Sequence, residues 1–187
     1  SGATAADSHP APEPLRDTVT PILTEQSFDM ITHSPAQTSA IGERLGRLLR
    51  SGDVVCMQGD LGTGKTCLTQ GIGKGLGVEG IISSPTFVYI NEYAPSGSGP
   101  YMYHVDLYRI RDYCDALSLG LEEYMYGDGV TVIEWAERAI EIIPDERLWI
   151  RLSYLEYTKR SLTFEATGER YLEILRELRA EVFGARS

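Results

Sequence analysis

Eight consecutive residues, Gly59-Asp60-Leu61-Gly62-Thr63-Gly64-Lys65-Thr66, satisfy G-x-x-x-x-G-K-[ST] at every fixed position. A loop of this kind wraps a phosphate with inward-pointing backbone N–H groups, and side chains at the glycines would block the approach. Lys65 is placed to reach β- and γ-phosphates, and the Thr66 hydroxyl to ligate Mg²⁺. A helix opening at Gly64-Lys65 would aim its positive end at the same phosphates. The backbone N–H of Cys67, one residue on, can serve an α-phosphate oxygen. Two acids end apolar runs downstream: Asp106 in "YMYHVDLYR" and Glu134 in "GVTVIEWAE". Either could serve a metal. The Glu134 run is the more uniformly apolar, as expected of a buried strand that delivers a magnesium-binding carboxylate. Asp106 has two readings: it caps "LYRIRD" or pairs with Arg109, or it orients an attacking water or binds the metal through a water.

These residues need a scaffold, and its pattern is legible. "DVVCMQ" (53–58) is a short continuous apolar run, typical of a strand buried on both faces, so the loop sits between strand and helix. Upstream, "SFDMIT" reads as a short strand. "SPAQTSAIGERLGRLLRSG" reads as a helix with Ser34 as N-cap, Pro35 in the first turn, and Ile41, Leu45, Leu48 and Leu49 on one face. Gly52 is expected to stop it. "TFVYINEY" (86–93) and "YMYHVD" (101–106) read as a hairpin with a long connection. Residues 111–129 read as helix in pieces, broken at Gly120; "VTVIEW" reads as a strand, and "AERAIEII" as a short helix stopped by Pro144. "RLWIRLSYLE" and "KRSLTFEATG" form a late hairpin turning near Tyr157-Thr158. A C-terminal helix then turns Leu172, Leu175, Leu178 and Val182 inward. The expected fold is a three-layer α/β P-loop NTPase domain over 26–187, with a mixed, mostly parallel central sheet and a late antiparallel hairpin.

Composition narrows the function. The 187 residues carry a formal net charge of −10, which disfavours non-specific binding to nucleic acid or anionic membrane. No apolar run approaches the ~20 residues of a membrane span. Cys56, Cys67 and Cys114 match no zinc spacing and read as core or helix thiols in a reducing, cytoplasmic setting. The chain starts with Ser1, so a trimmed start is expected. Residues 1–25, rich in Ala, Pro, Ser and Thr with interspersed acids, read as a flexible extension. A GTPase of the common type needs N-K-x-D, but the single asparagine, Asn91, precedes Glu-Tyr. "LSLGL" (117–121) lacks the glycine pair of an ABC signature, and no arginine-rich kinase lid is evident. A small phosphotransferase with Asp106 as base, and a nucleotide-switched binding module, both stay open. The ordinary reading of His104 is a core or surface histidine. Trp135 is either core or site edge.

The order "GDLGTGKT", "SSPTFVYINEY", "YHVDLYRI", "GVTVIEWAER" closely resembles the TsaE (YjeE) family of P-loop ATPases, from about Ser34 to Arg170. The resemblance implies Mg²⁺-dependent ATP binding and slow hydrolysis in support of tRNA threonylcarbamoyladenosine synthesis. The partners it implies are TsaD and TsaB, with TsaD as the transferase acting on adenosine 37, tRNA contact mainly indirect, and no membrane. It assigns phosphate binding to Lys65, magnesium to Thr66 and Glu134, and a place near the nucleotide to Trp135. It matches Ser84, Pro85 and Thr86 to a first switch-like loop and Asp106 to the second. The resemblance also implies that Thr38 lies near the adenine and makes Arg160 a further candidate nucleotide contact. Cys67 departs from the hydroxyl residue that many relatives carry there.

Overall fold

The computed structural model describes residues 26–80, 82 and 89–184. The two most apolar runs become the strands β2 (Val54–Gln58) and β5 (Val130–Glu134), which are parallel neighbours inside the sheet. Along β2, Val55 and Met57 face one core while Val54 and Cys56 face the other. A strand covered on both faces has no solvent side, so its sequence does not alternate in polarity. β1 (Ser27–Thr32), β3 (Ile90–Tyr93), β4 (Met102–Asp106), β6 (Arg147–Glu156) and β7 (Lys159–Thr167) complete a seven-stranded sheet of order β1-β7-β6-β2-β5-β4-β3. Only β3 and β7 run against the common direction.

Three helices cover one face: α1 (Pro35–Leu48), α2 (Lys65–Gly75) and α5 (Glu169–Phe183). The other face is covered by α3 (Tyr113–Ser118), α4 (Leu121–Met125) and a 3-10 helix, Ala136–Ile142. The three-layer expectation holds, and the chain has a P-loop NTPase fold.

Local differences have local causes. Ser34 caps α1 by accepting from the Gln37 N–H, as expected, but the helix ends at Leu48 on an extended Leu49. Gly52, at φ 95°, makes the turn into β2 instead of ending the helix. The 136–142 segment is 3-10 with a kink at Ala139, not regular α-helix. On α5, Tyr171, Ile174, Leu175 and Leu178 are buried, while Leu172 and Val182 are only partly so. The helix is rotated so that the Tyr171 hydroxyl accepts from the buried Val54 N–H at 2.8 Å. The 1–25 extension, Ser84, Pro85, Thr86 and the early part of the 86–93 strand lie outside the described residues.

The helix that opens at the glycine loop is seated by glycines. A Cβ on Gly71 of α2 would lie 2.1 Å from the Ser39 carbonyl oxygen of α1, and one on Gly75 would lie 2.2 Å from that of Glu43. Reciprocally, a Cβ on Gly42 would lie 2.4 Å from the Leu68 oxygen, and one on Gly46 would lie 2.3 Å from that of Ile72. Backbone meets backbone here, so a methyl group cannot be absorbed by a rotamer change. Gly71→Ala is expected to destabilise the protein by about 1–3 kcal/mol, overriding the ~1 kcal/mol that Ala normally gains over Gly in a helix. Urea unfolding measures this, and an alanine variant as stable as the parent would contradict the contact.

Candidate nucleotide and metal site

The C-terminal ends of β2, β4 and β5 converge at one place, the usual location of a ligand site in a parallel α/β sheet. β2 ends at Gln58, and the loop 59–64 follows. The loop's glycines, Gly62 with φ 78° included, are required where they stand. Gly64 has φ 101° as N-cap of α2, and a Cβ on Gly59 would lie 2.5 Å from the Leu152 carbonyl oxygen. Thr63 steadies the loop by donating its hydroxyl to the Asp60 oxygen at 2.8 Å. Leu61 stands exposed at the tip.

Lys65 is buried. Its ammonium donates to the carbonyl oxygens of Gly59 and, at 2.8 Å, Asp60, and lies 4.3 Å from the centre of the Trp135 ring. Burial lowers its pKa, and the charges of Glu134, Glu137, Asp106 and Asp60 act against that shift. The lysine is thus a desolvated cation held on its own loop among four acids.

The two strand-ending acids lie side by side. Asp106 and Glu134 are register partners on β4 and β5. Glu134 is buried, and its Oε1 accepts from the Thr66 hydroxyl at 3.4 Å. Its other oxygen, Oε2, is 2.5 Å from Nε2 of His104, a wholly buried residue. Asp106 accepts from the Tyr108 N–H at 2.9 Å, which sets the turn after β4. Burial, more than the Glu134 charge, raises its pKa. Thr66 and Glu134 offer hard oxygen donors facing each other beside the loop, with the Asp106 carboxylate adjacent. That donor chemistry suits Mg²⁺.

The cleft above them has a volume of about 560 Å³, and Thr38, Gly62, Gly64, Lys65, Thr66, Cys67, Asp106, Glu134, Trp135 and Arg160 all line it. Thr38 is buried and hydrogen-bonded through its hydroxyl to Thr32 at 2.7 Å. Arg160 donates to the Gly62 oxygen at 3.1 Å, tying the β6–β7 turn to the loop, and stacks over Tyr154. Cys67 donates to the Pro35 oxygen at 3.0 Å. Of the other thiols, Cys56 is in the core with its pKa pushed up to about 12 by burial, and Cys114 is exposed on α3.

Trp135 has φ 59°, the one non-glycine positive φ among the described residues. A bulky residue there is strained, and the strain lays the indole over Lys65. Arg138 braces it: its guanidinium stacks on Trp135 and Tyr108 and donates to the carbonyl oxygens of Tyr108 and Ile110. Arg138, Glu137 and the role of His104 escape a reading of the sequence. The only available signals are the nearness of Glu137 and Arg138 to Glu134 in the chain, and a histidine two residues before Asp106 on an otherwise apolar strand.

The family model described as "Threonylcarbamoyl adenosine biosynthesis protein TsaE" matches residues 32–162. A tRNA threonylcarbamoyladenosine biosynthesis protein TsaE of Bacillus subtilis is 42% identical over 147 residues, covering 79% of this chain and 90% of that protein. The protein of the same name from Treponema pallidum is 38% identical over 133 residues, covering 71% and 96%. The crystal structure of Bacillus subtilis YdiB matches with a TM-score of 0.73 at 35% identity, covering 84% of this chain and 97% of that one. The matched stretch contains the glycine loop, both strand-ending acids, Trp135 and Arg160, and on that extent of agreement the chain belongs to the TsaE family.

Proposed function

We propose that this protein binds and hydrolyses ATP with Mg²⁺ and thereby supports TsaD and TsaB in threonylcarbamoylation of adenosine 37 of tRNA. The observation that carries the reading is the convergence of Lys65, Thr66, Glu134 and Asp106 on one cleft at the mouth of a phosphate-binding loop. Magnesium, when bound, would neutralise phosphate charge beside Thr66 and Glu134. The loop N–H groups and the α2 N-terminus bind phosphate oxygens. Lys65 exchanges its carbonyl partners for phosphate, and Asp106 orients the attacking water. The cleft edge formed by Thr38, Cys67, Trp135 and Arg160 holds the rest of the nucleotide. With a net charge of −10, the chain leaves most tRNA contact to its partners. Ser84, Pro85 and Thr86 retain their proposed role as a first switch.

One observation favours a second reading. The burial-raised carboxyl of Asp106 would also suit a base that accepts a proton from a substrate hydroxyl in a small phosphotransferase. A single assay separates the two. ATP hydrolysis is measured alone, with the organism's own TsaD and TsaB, and with a panel of nucleosides and sugars. Faster turnover with the two proteins, together with ATP-sensitive co-purification, is the expected result. Turnover indifferent to them, or phosphate transferred to an acceptor, would overturn the first reading.

A further inference from the structure

His104 is wholly buried on β4, between its register partners Asn91 on β3 and Val132 on β5, with Met102 buried two residues before it. Burying a polar ring has a cost unless its nitrogens are satisfied. Here Nδ1 has no hydrogen-bond partner among the described residues, whereas Nε2 lies 2.5 Å from Glu134 Oε2. A carboxylate only accepts, so Nε2 carries the proton and donates it. The two oxygens of Glu134 are therefore divided. One is held by His104, and the other faces the Thr66 hydroxyl at 3.4 Å.

The division matters because a carboxylate without the histidine could rotate freely and would no longer be aimed at the Thr66 hydroxyl. We propose that His104 is a positioning residue that holds Glu134 toward Thr66, presetting the carboxylate for a divalent cation. The proposal rests on the Mg²⁺–nucleotide reading above. Groups that orient metal-binding side chains typically change metal affinity by about 10–100-fold when removed.

The test is calorimetric titration of the full chain with a non-hydrolysable ATP analogue, once with Mg²⁺ and once with EDTA. Metal-free binding depends on Lys65 and the loop, whereas the gain on adding Mg²⁺ depends on Thr66 and Glu134. His104→Leu should cut that gain about tenfold or more while leaving metal-free affinity within about threefold. His104→Gln, whose amide can bring an N–H donor to the Nε2 position, should restore most of it. In a Glu134→Gln background, His104→Leu should cost nothing further, because the histidine acts through that carboxylate. If thermal melting shows that His104→Leu does not fold, His104→Asn replaces it with the same expected loss, since its amide falls short of Glu134. An unchanged Mg²⁺ gain, an equal loss with and without metal, or a glutamine variant that fails like leucine would overturn the proposal. Parent binding indifferent to Mg²⁺ would instead overturn the underlying functional reading, so the two failures are distinguishable.

Discussion

Lys65→Ala should abolish ATP hydrolysis, by at least ~10²–10³-fold, the loss that follows removal of one preorganised charge-stabilising group. The protein should remain folded. Both expectations come from the same geometry. The ammonium is buried, its hydrogen-bond partners are carbonyl oxygens of its own loop, and its ring contact is Trp135. Burial disfavours its charged form, as the direction of its pKa shift records. Removing it therefore takes away chiefly a desolvated charge. The carbonyl oxygens of Gly59 and Asp60 lose their donor, but both residues line a separate surface pocket that water can enter. Steady-state phosphate release and a urea unfolding curve on the same sample check the two halves. Turnover at the parent rate would remove the lysine from the chemistry. Loss of turnover accompanied by loss of the unfolding transition would make its role structural.

The loop, its lysine and its threonine are legible in the sequence because their chemistry is local. Glycine is needed where φ is positive or backbone approaches backbone, and those needs fall at fixed spacings within eight residues. Strands β2 and β5 are legible because burial on both faces leaves continuous apolar runs. What was not legible depends on neighbours distant in sequence. Nothing near His104 announces that its ring meets a carboxylate thirty positions later. The α1–α2 crossing is a middle case. Glycines at i and i+4 in two successive helices are visible in "IGERLG" and "GIGKG", but only the folded chain shows the two pairs pressed together. The rotation of α5 fails for a similar reason. Its apolar positions allow two neighbouring faces, and the hydrogen bond from Val54 to Tyr171 selects one. Trp135 could be placed beside the site from its position after Glu134, but its left-handed backbone has no sequence signal, since tryptophan is a poor residue for that conformation.

Glu134→Gln should raise the Mg²⁺ concentration for half-maximal hydrolysis about tenfold or more, whereas Asp106→Asn should change it by less than about threefold. The acids are register partners, so their positions along the sheet do not rank them. Their surroundings do. Glu134 is buried, faces the Thr66 hydroxyl and is gripped from behind by His104. A glutamine there keeps the shape but removes the charge that would hold the ion. Asp106 is half-buried and spends one oxygen on the Tyr108 N–H. Asparagine can still accept that bond, so the turn after β4 should survive, and the loss should fall on kcat rather than on the metal requirement.

Stability supplies an independent check. Burial and the neighbouring Glu134 charge raise the Asp106 pKa, so the folded state holds that proton more tightly than the unfolded chain does. The ionised carboxylate therefore costs stability at neutral pH, and that cost fades as pH falls through the raised folded-state pKa. Asp106→Asn should consequently be at least as stable as the parent at pH 7, and its advantage should shrink in acid. If Asp106→Asn, folded and stable, shows the larger shift in Mg²⁺ requirement, the roles of the two acids exchange. The ion would then be held from β4, and the Thr66–Glu134 contact would position the helix instead.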